Sequence, residues 1–186
     1  MGDNPSHFTD DDQRPVEQVS WLNSVEFCRK LSKQTGKEYR LPTETEWEYA
    51  CRAGTTTAYY FGESITKKQA NYDNNIGKTT AVGKYPSNAF GLNDMHGNVW
   101  EWCQDELHNY NSYKSFMKNT SILSTLNHPA MFFGPNIGIL GGIKIIRGGS
   151  WRELGDFCRS SITGYFPAVK RSNCIGFRVV CNVPIT

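Results

Sequence analysis

The residues best placed to do chemistry stand in one run, Gly91-Leu92-Asn93-Asp94-Met95-His96-Gly97-Asn98-Val99-Trp100-Glu101-Trp102. Oxygen donors crowd there around a glycine that can turn sharply between them, which is the chemistry of a hard cation. Calcium takes about six to eight oxygens from carboxylates, amides and main-chain carbonyls, and Asp94 and Glu101 carry the formal charge such a loop needs. A second reading makes Asp94 and Asn98 Asx-turn residues and pairs Glu101 with an arginine. The residues alone leave both open. His96 reads as a loop hydrogen-bonder rather than a ligand.

Arg147-Gly148-Gly149-Ser150-Trp151 places two glycines where a strand meets an aromatic anchor, so the chain can turn tightly before Trp151 enters the core. A phosphate loop would need a following Lys-Ser/Thr and a helix start, and neither is present. The cysteines at 28, 51, 103, 158, 174 and 181 form no CxxC pair, which excludes a zinc ribbon and a thioredoxin-type motif and predicts reduced, mostly buried thiols. Cys158, beside Arg159, is the one candidate nucleophile, because a thiolate needs an electropositive neighbourhood. There is no Gly-x-Ser-x-Gly elbow and no His-Glu-x-x-His, and His7, His96, His108 and His128 fall in polar stretches.

The elements that must position these groups are partly legible. Residues 1–18 read as a polar surface strap. Ser20 caps a helix whose Trp21, Val25 and Cys28 share a face, with Leu22 and Leu31 beside it and Gly36 as its stop. Thr43 and Glu46 form a capping box for a second helix from Glu44 to about Arg52, closed by Gly54. Beyond it, short runs such as Thr79–Val82 and Val99–Trp102 read as strands among structured loops. Residues 104–139 form a long polar and aromatic stretch. Ile143–Arg147 and Gly176–Cys181 look like buried strands able to pair with each other, and the segment between Trp151 and Ile175 has neither helix nor strand period. Its mixture of Arg, Leu, Asp, Phe and Tyr suits a recognition surface.

With 186 residues, 38% apolar, 17 Gly and 8 Pro, the chain has material for one loop-rich α+β domain spanning 1–186. The balance of 20 Lys+Arg against 18 Asp+Glu, a formal +2, argues against nucleic acid or an anionic membrane as partner. No apolar run is long enough to span a bilayer and no signal peptide is visible, so a cytoplasmic location is expected.

The runs Arg40-Leu41-Pro42-Thr43-Glu44-Thr45-Glu46-Trp47-Glu48-Tyr49-Ala50, Gly97-Asn98-Val99-Trp100-Glu101-Trp102, Arg147–Trp151 and Gly176-Phe177-Arg178, in this order, resemble the formylglycine-generating enzyme, or sulfatase-modifying factor, family. The chain begins where family members have already run through an N-terminal strand region, as in a shortened member or a partial gene product. The resemblance implies a C-type-lectin-like α+β fold, with two helices packed on short, mostly antiparallel strands and long loops. It implies one structural calcium, held through positions matching Asp94, Gly97, Val99 and Glu101, with Gly97 and Val99 donating main-chain carbonyls. The family's second calcium loop is not recognisable after Asn71-Tyr72. Enzyme members use two copper-binding thiols; Cys158 matches the second, and Glu153 stands in place of the first, so no copper is expected. A divergent oxidoreductase acting on a protein cysteine is the alternative reading.

The order Arg-Gly-Gly-Ser-Trp, then Cys158-Arg159-Ser160-Ser161, then Ile175–Val180 also resembles the variable proteins of diversity-generating retroelements. That likeness implies a non-enzymatic ligand-binding protein whose variable segment runs from about 152 to 174, with a protein as its ligand. Adenine-directed randomisation reaches Arg152, Leu154, Asp156, Phe157, Ile162, Gly164, Tyr165, Phe166, Val169, Ser172, Asn173 and Cys174, but not Glu153 or Lys170. In such a protein Trp151, Cys158, Ile175 and Phe177 point inward, and Arg152, Leu154, Phe157, Tyr165 and Phe166 point outward.

Overall fold

The computed structural model describes residues 4–107 and 142–182. Most of the 104–139 stretch, with His108 and His128, lies outside the described residues. Helix α1 runs Trp21–Thr35 and α2 Glu44–Arg52. Ser20 and Thr43 cap them through reciprocal boxes with Asn23 and Glu46, so each helix start satisfies its own free donors. Gly36 ends α1 at a left-handed φ of 71°, with its N–H on the Ser32 carbonyl. The second helix ends at Arg52 as expected, with Ala53 rather than Gly54 as its left-handed cap. The buried side chains of α1 are Ser24 and Cys28, whereas Val25 and Leu22 face outward at 38% and 45% exposure. Ser24 can be buried because its hydroxyl bonds the Ser20 carbonyl one turn back.

Strand β1 (Glu38–Arg40) pairs antiparallel with β6 (Val180–Asn182). The second sheet has the order β4-β3-β2-β5, formed by Thr163–Pro167, Ile143–Arg147, Trp100–Glu106 and Ile175–Gly176. Its β3 is antiparallel to both neighbours, and β2 runs parallel to β5. The expected pairing of Ile143–Arg147 with Gly176–Cys181 is therefore corrected. Strand β2 lies between them, and the second run splits into β5 and β6, which belong to different sheets. Residues 79–82 form no strand, and the segment after Trp151 holds β4 and a 3-10 turn at Gly155–Cys158.

All five residues of β3 are buried, because the sheet is covered on both faces. Ile146 faces a cluster of Trp100, Trp102, Trp151, Phe166 and Ile175, while Ile145 joins Trp47, Cys51, Met95 and Cys103. Buried indole N–H groups find acceptors: Trp102 donates to the Val19 carbonyl at 3.1 Å and Trp21 to that of Cys103 at 2.8 Å. All six cysteines are free thiols, and all but Cys181 are buried. Among the described residues no helix is long and apolar enough to cross a membrane.

Candidate functional site

The loop from Gly91 to Glu101 is held by left-handed residues and tight approach. Asp94 and Asn98 sit at φ 57° and 64°, and a Cβ on Gly97 would collide with the Asn71 carbonyl. The Asn98 amide clips the loop to Thr80, accepting its N–H at 2.9 Å and donating to its carbonyl at 3.3 Å. Glu101 takes the arginine reading: Arg178 donates to its two oxygens at 2.8 and 2.9 Å, and the Trp47 indole adds a bond of 2.7 Å. Asp94 accepts from Gly83 N–H at 2.7 Å, and burial pushes its carboxyl above the ordinary range. Asp94, Val99, Glu101 and Arg178 line one cavity of about 420 Å³ that Gly97 does not line. A hard cation at this loop would rest on Asp94 and main-chain oxygen, since the charge of Glu101 is already balanced by Arg178 and, among the described residues, no three His, Cys, Asp or Glu side chains gather to hold a metal.

The segment after Trp151 is gripped by its main chain. Asp73 and Asn74, consecutive left-handed residues, donate their N–H groups to the Glu153 and Trp151 carbonyls at 2.6 and 2.7 Å. The Tyr59 hydroxyl donates to the Gly155 carbonyl, and Trp21, Gln18 and Trp100 N–H groups take those of Ala168, Ser172 and Cys174. Arg147 is the central grip. Only 1% exposed, it pairs with Glu44 and Glu48 of α2 and donates to the Ser160 and Ser161 carbonyls and the Thr163 hydroxyl. Bonds to carbonyls do not depend on the side chain that the same residue carries.

Side-chain placement divides the predicted variable positions. Arg152, Leu154, Asp156 and Val169 are exposed. Phe157, Ile162, Gly164, Tyr165 and Asn173 are half-buried, and Phe157, Ile162 and Tyr165 rest against the two core clusters. Phe166, expected outward, is 3% exposed and packs beside Trp102, and Cys174 and Ser172 are also buried. Gly164 is fixed by packing, since a Cβ there would meet Ile146 at 2.8 Å and Trp100 at 3.1 Å. Trp151, Cys158 and Ile175 point inward as expected, and Phe177 is half-buried.

Cys158 is a poor nucleophile. It has no exposed surface, burial and nearby Glu153 push its thiol far up, and Arg159 pairs with Asp156 instead. Glu153, in the position of the first family thiol, is 4% exposed and accepts from the Ser150 hydroxyl at 3.2 Å.

His96 is not in polar surroundings. It is 1% exposed, stacked on Tyr60 at 4.7 Å with Tyr59 edge-on. Its Nδ1 lies 2.6 Å from the Cys158 carbonyl and its Nε2 accepts Tyr60 N–H at 3.1 Å, which assigns the proton to Nδ1. Burial pushes its pKa down to about 4. The unfolded chain binds a proton near pH 6.5 that the folded chain refuses, so stability present above pH 6.5 is lost as pH falls toward 4. The loss amounts to about 3 kcal/mol. Urea melts at pH 7 and pH 4.5 are expected to show this slope in the native protein and a flatter one in His96→Gln.

Sequence reasoning did not find the Asp73-Asn74 grip or Arg14, which joins Asp10 to the Thr79 carbonyl. An Asp-Asn pair tolerates left-handed φ, and that was the available signal.

Residues 1–183 match the model of the sulfatase-modifying factor enzyme 1-like domain. The chain belongs to the sulfatase-modifying factor family. Among solved structures it is similar to variable protein 1 of Treponema denticola, with TM-score 0.74 and 28% identity over 97% of this chain and 78% of that one. This family domain is also 37% identical over 148 residues to the serine/threonine-protein kinase pkn1 of Chlamydia caviae, covering 79% of this chain and 21% of the kinase. It is 37% identical over 118 residues to the formylglycine-generating enzyme of Mycobacterium tuberculosis, covering 55% of this chain and 37% of that enzyme. The chain therefore spans only a minor part of these two curated relatives, and its α+β architecture is that of this family and of the variable protein.

Proposed function

We propose that this domain is a non-enzymatic binding module that presents a changeable face on residues 152–174 to a protein ligand, in the manner of a retroelement-diversified variable protein. The observation that carries the reading is the main-chain grip: Arg147, His96, Tyr59 and the Asp73-Asn74 pair hold carbonyls and leave Arg152, Leu154, Asp156 and Val169 in solvent. A scaffold that must survive changes in its face needs this separation. The buried, strongly up-shifted Cys158 thiol gives no support to the oxidoreductase alternative.

Sequencing the genomic locus tests the proposal. A near-copy of codons 152–174 differing only at adenines, beside a reverse transcriptase gene, is the expected finding, and its absence returns the domain to the fixed members of the family. At the protein level, the fourfold change of Arg152, Leu154, Asp156 and Val169 to alanine is expected to leave the thermal midpoint within about 2 °C, because exposed side chains away from anchors contribute little. Phe166→Ala is expected to cost about 3 kcal/mol. A fourfold variant that melts like Phe166→Ala refutes the outward face. Calcium enters the proposal as a ligand of the 94–101 loop, through Asp94 and the Gly97 and Val99 carbonyls. The same melts, repeated with calcium and with a chelator, remove it if the midpoints coincide.

A further inference from the structure

A groove of about 620 Å³ lies between the N-terminal strap, α1 and the chain after residue 170. Val19, Phe27, Phe177 and Val179 line it, with Phe27 and Phe177 edge-on at 5.2 Å, and Val16 at its margin is 42% exposed. Two cations stand at the same groove. Lys30 forms a 3.8 Å ion pair with Glu26, which also lines the groove but is held more closely by Arg29 at 2.7 Å, and Arg171 has no carboxylate partner among the described residues. Apolar walls from three separate stretches of chain, with positive charge left over at the edge, form a concavity in the size range of small-molecule sites, about 300–1,000 Å³.

We propose that this groove binds a small amphipathic anion, an alkyl chain or aromatic ring ending in a carboxylate or sulfonate. The apolar body is seated against Phe27, Phe177 and Val179, and the acid group is met by Lys30 and Arg171. Burying the body removes apolar surface from water, and the two cations select an acid over an alcohol of equal length. Arg171 belongs to the 152–174 segment, but Arg152, Leu154, Asp156 and Val169, the solvent-facing residues of the changeable face, do not line the groove.

The test is a fluorescence titration of the full chain with anilinonaphthalene sulfonate, followed by displacement with decanoate and with decanol. Saturable one-to-one binding is expected, with decanoate displacing the probe about tenfold better than decanol and Lys30→Glu/Arg171→Glu weakening it about tenfold. Both side chains are exposed, so the melt of this variant is expected to match the native one; Arg171→Gln serves in its place if it does not. The fourfold face variant is expected to bind the probe unchanged. Absence of saturable binding, equal displacement by decanol, or full affinity in the charge-changed variants overturns the proposal.

Discussion

Replacing Arg147 with alanine is expected to lower stability by about 3–5 kcal/mol, the range found when one member of a buried ion pair is removed. The guanidinium is almost fully enclosed, and among the described residues its loss leaves Glu44 with the Thr163 hydroxyl alone, Glu48 with Arg52 alone, and the Ser160 and Ser161 carbonyls without their donor. Glu44 and Glu48 keep roughly a third of their side-chain surface, so water relieves part of their burden. The two carbonyls depend more heavily on the arginine. Arg147→Lys keeps the charge but not the planar fork, and an intermediate loss is expected. Urea melts read the stability, and amide exchange across residues 158–164 reads whether the segment loosens first. A loss below about 1 kcal/mol would mean that Arg147 is not the central grip.

Gly149→Ala is expected to cost about 3 kcal/mol, from a left-handed residue gaining a side chain and from overpacking. Gly149 sits at φ 76°, and its missing Cβ would strike the Cys158 thiol and lie 3.0 Å from both the Cys158 Cα and the Phe157 carbonyl oxygen. Two of those neighbours are main chain, so no rotamer change makes room. A urea melt within about 1 kcal/mol of the native one would show that the 3-10 turn carrying Cys158 can move away.

The local grammar of this fold was written in the residues. Ser20 with Gly36 and Thr43 with Glu46 mark both helices, and the two glycines before Trp151 take the positive φ their position demands. The strand order was not legible, because Ile143–Arg147 mixes three isoleucines with Lys144 and Arg147 in no regular alternation, and all five are buried, so the pattern does not say which neighbours cover it. The position of Phe166 was readable in principle. Gly164 and Phe166, two residues apart, share one face of β4, and a glycine that admits Ile146 and Trp100 marks the buried side of that strand. Mixed composition over 152–174 masked that period of two. In the acidic loop, Asp94 and Glu101 could be recognised as a pair of charges, but the arrival of Arg178 at Glu101 is a tertiary contact across 77 residues that no spacing predicts.

The carbonyl grip bears on which residue types the 152–174 segment can accept. Every amino acid, proline included, carries a main-chain carbonyl, so a scaffold that supplies the donors and asks the segment for acceptors holds any sequence by an atom common to the whole alphabet. Pro167 already sits inside the segment, at the end of β4. A scaffold relying on the segment's own N–H groups would have to bar proline throughout. Here that restriction falls on the positions whose amides donate, among them Glu153, Phe157, Ser160, Ile162, Ala168 and Lys170 and the paired residues of β4, and is lifted at the others. Rigid turns are therefore within reach of the face itself, and with them ligand contacts whose ordering cost is met before binding begins.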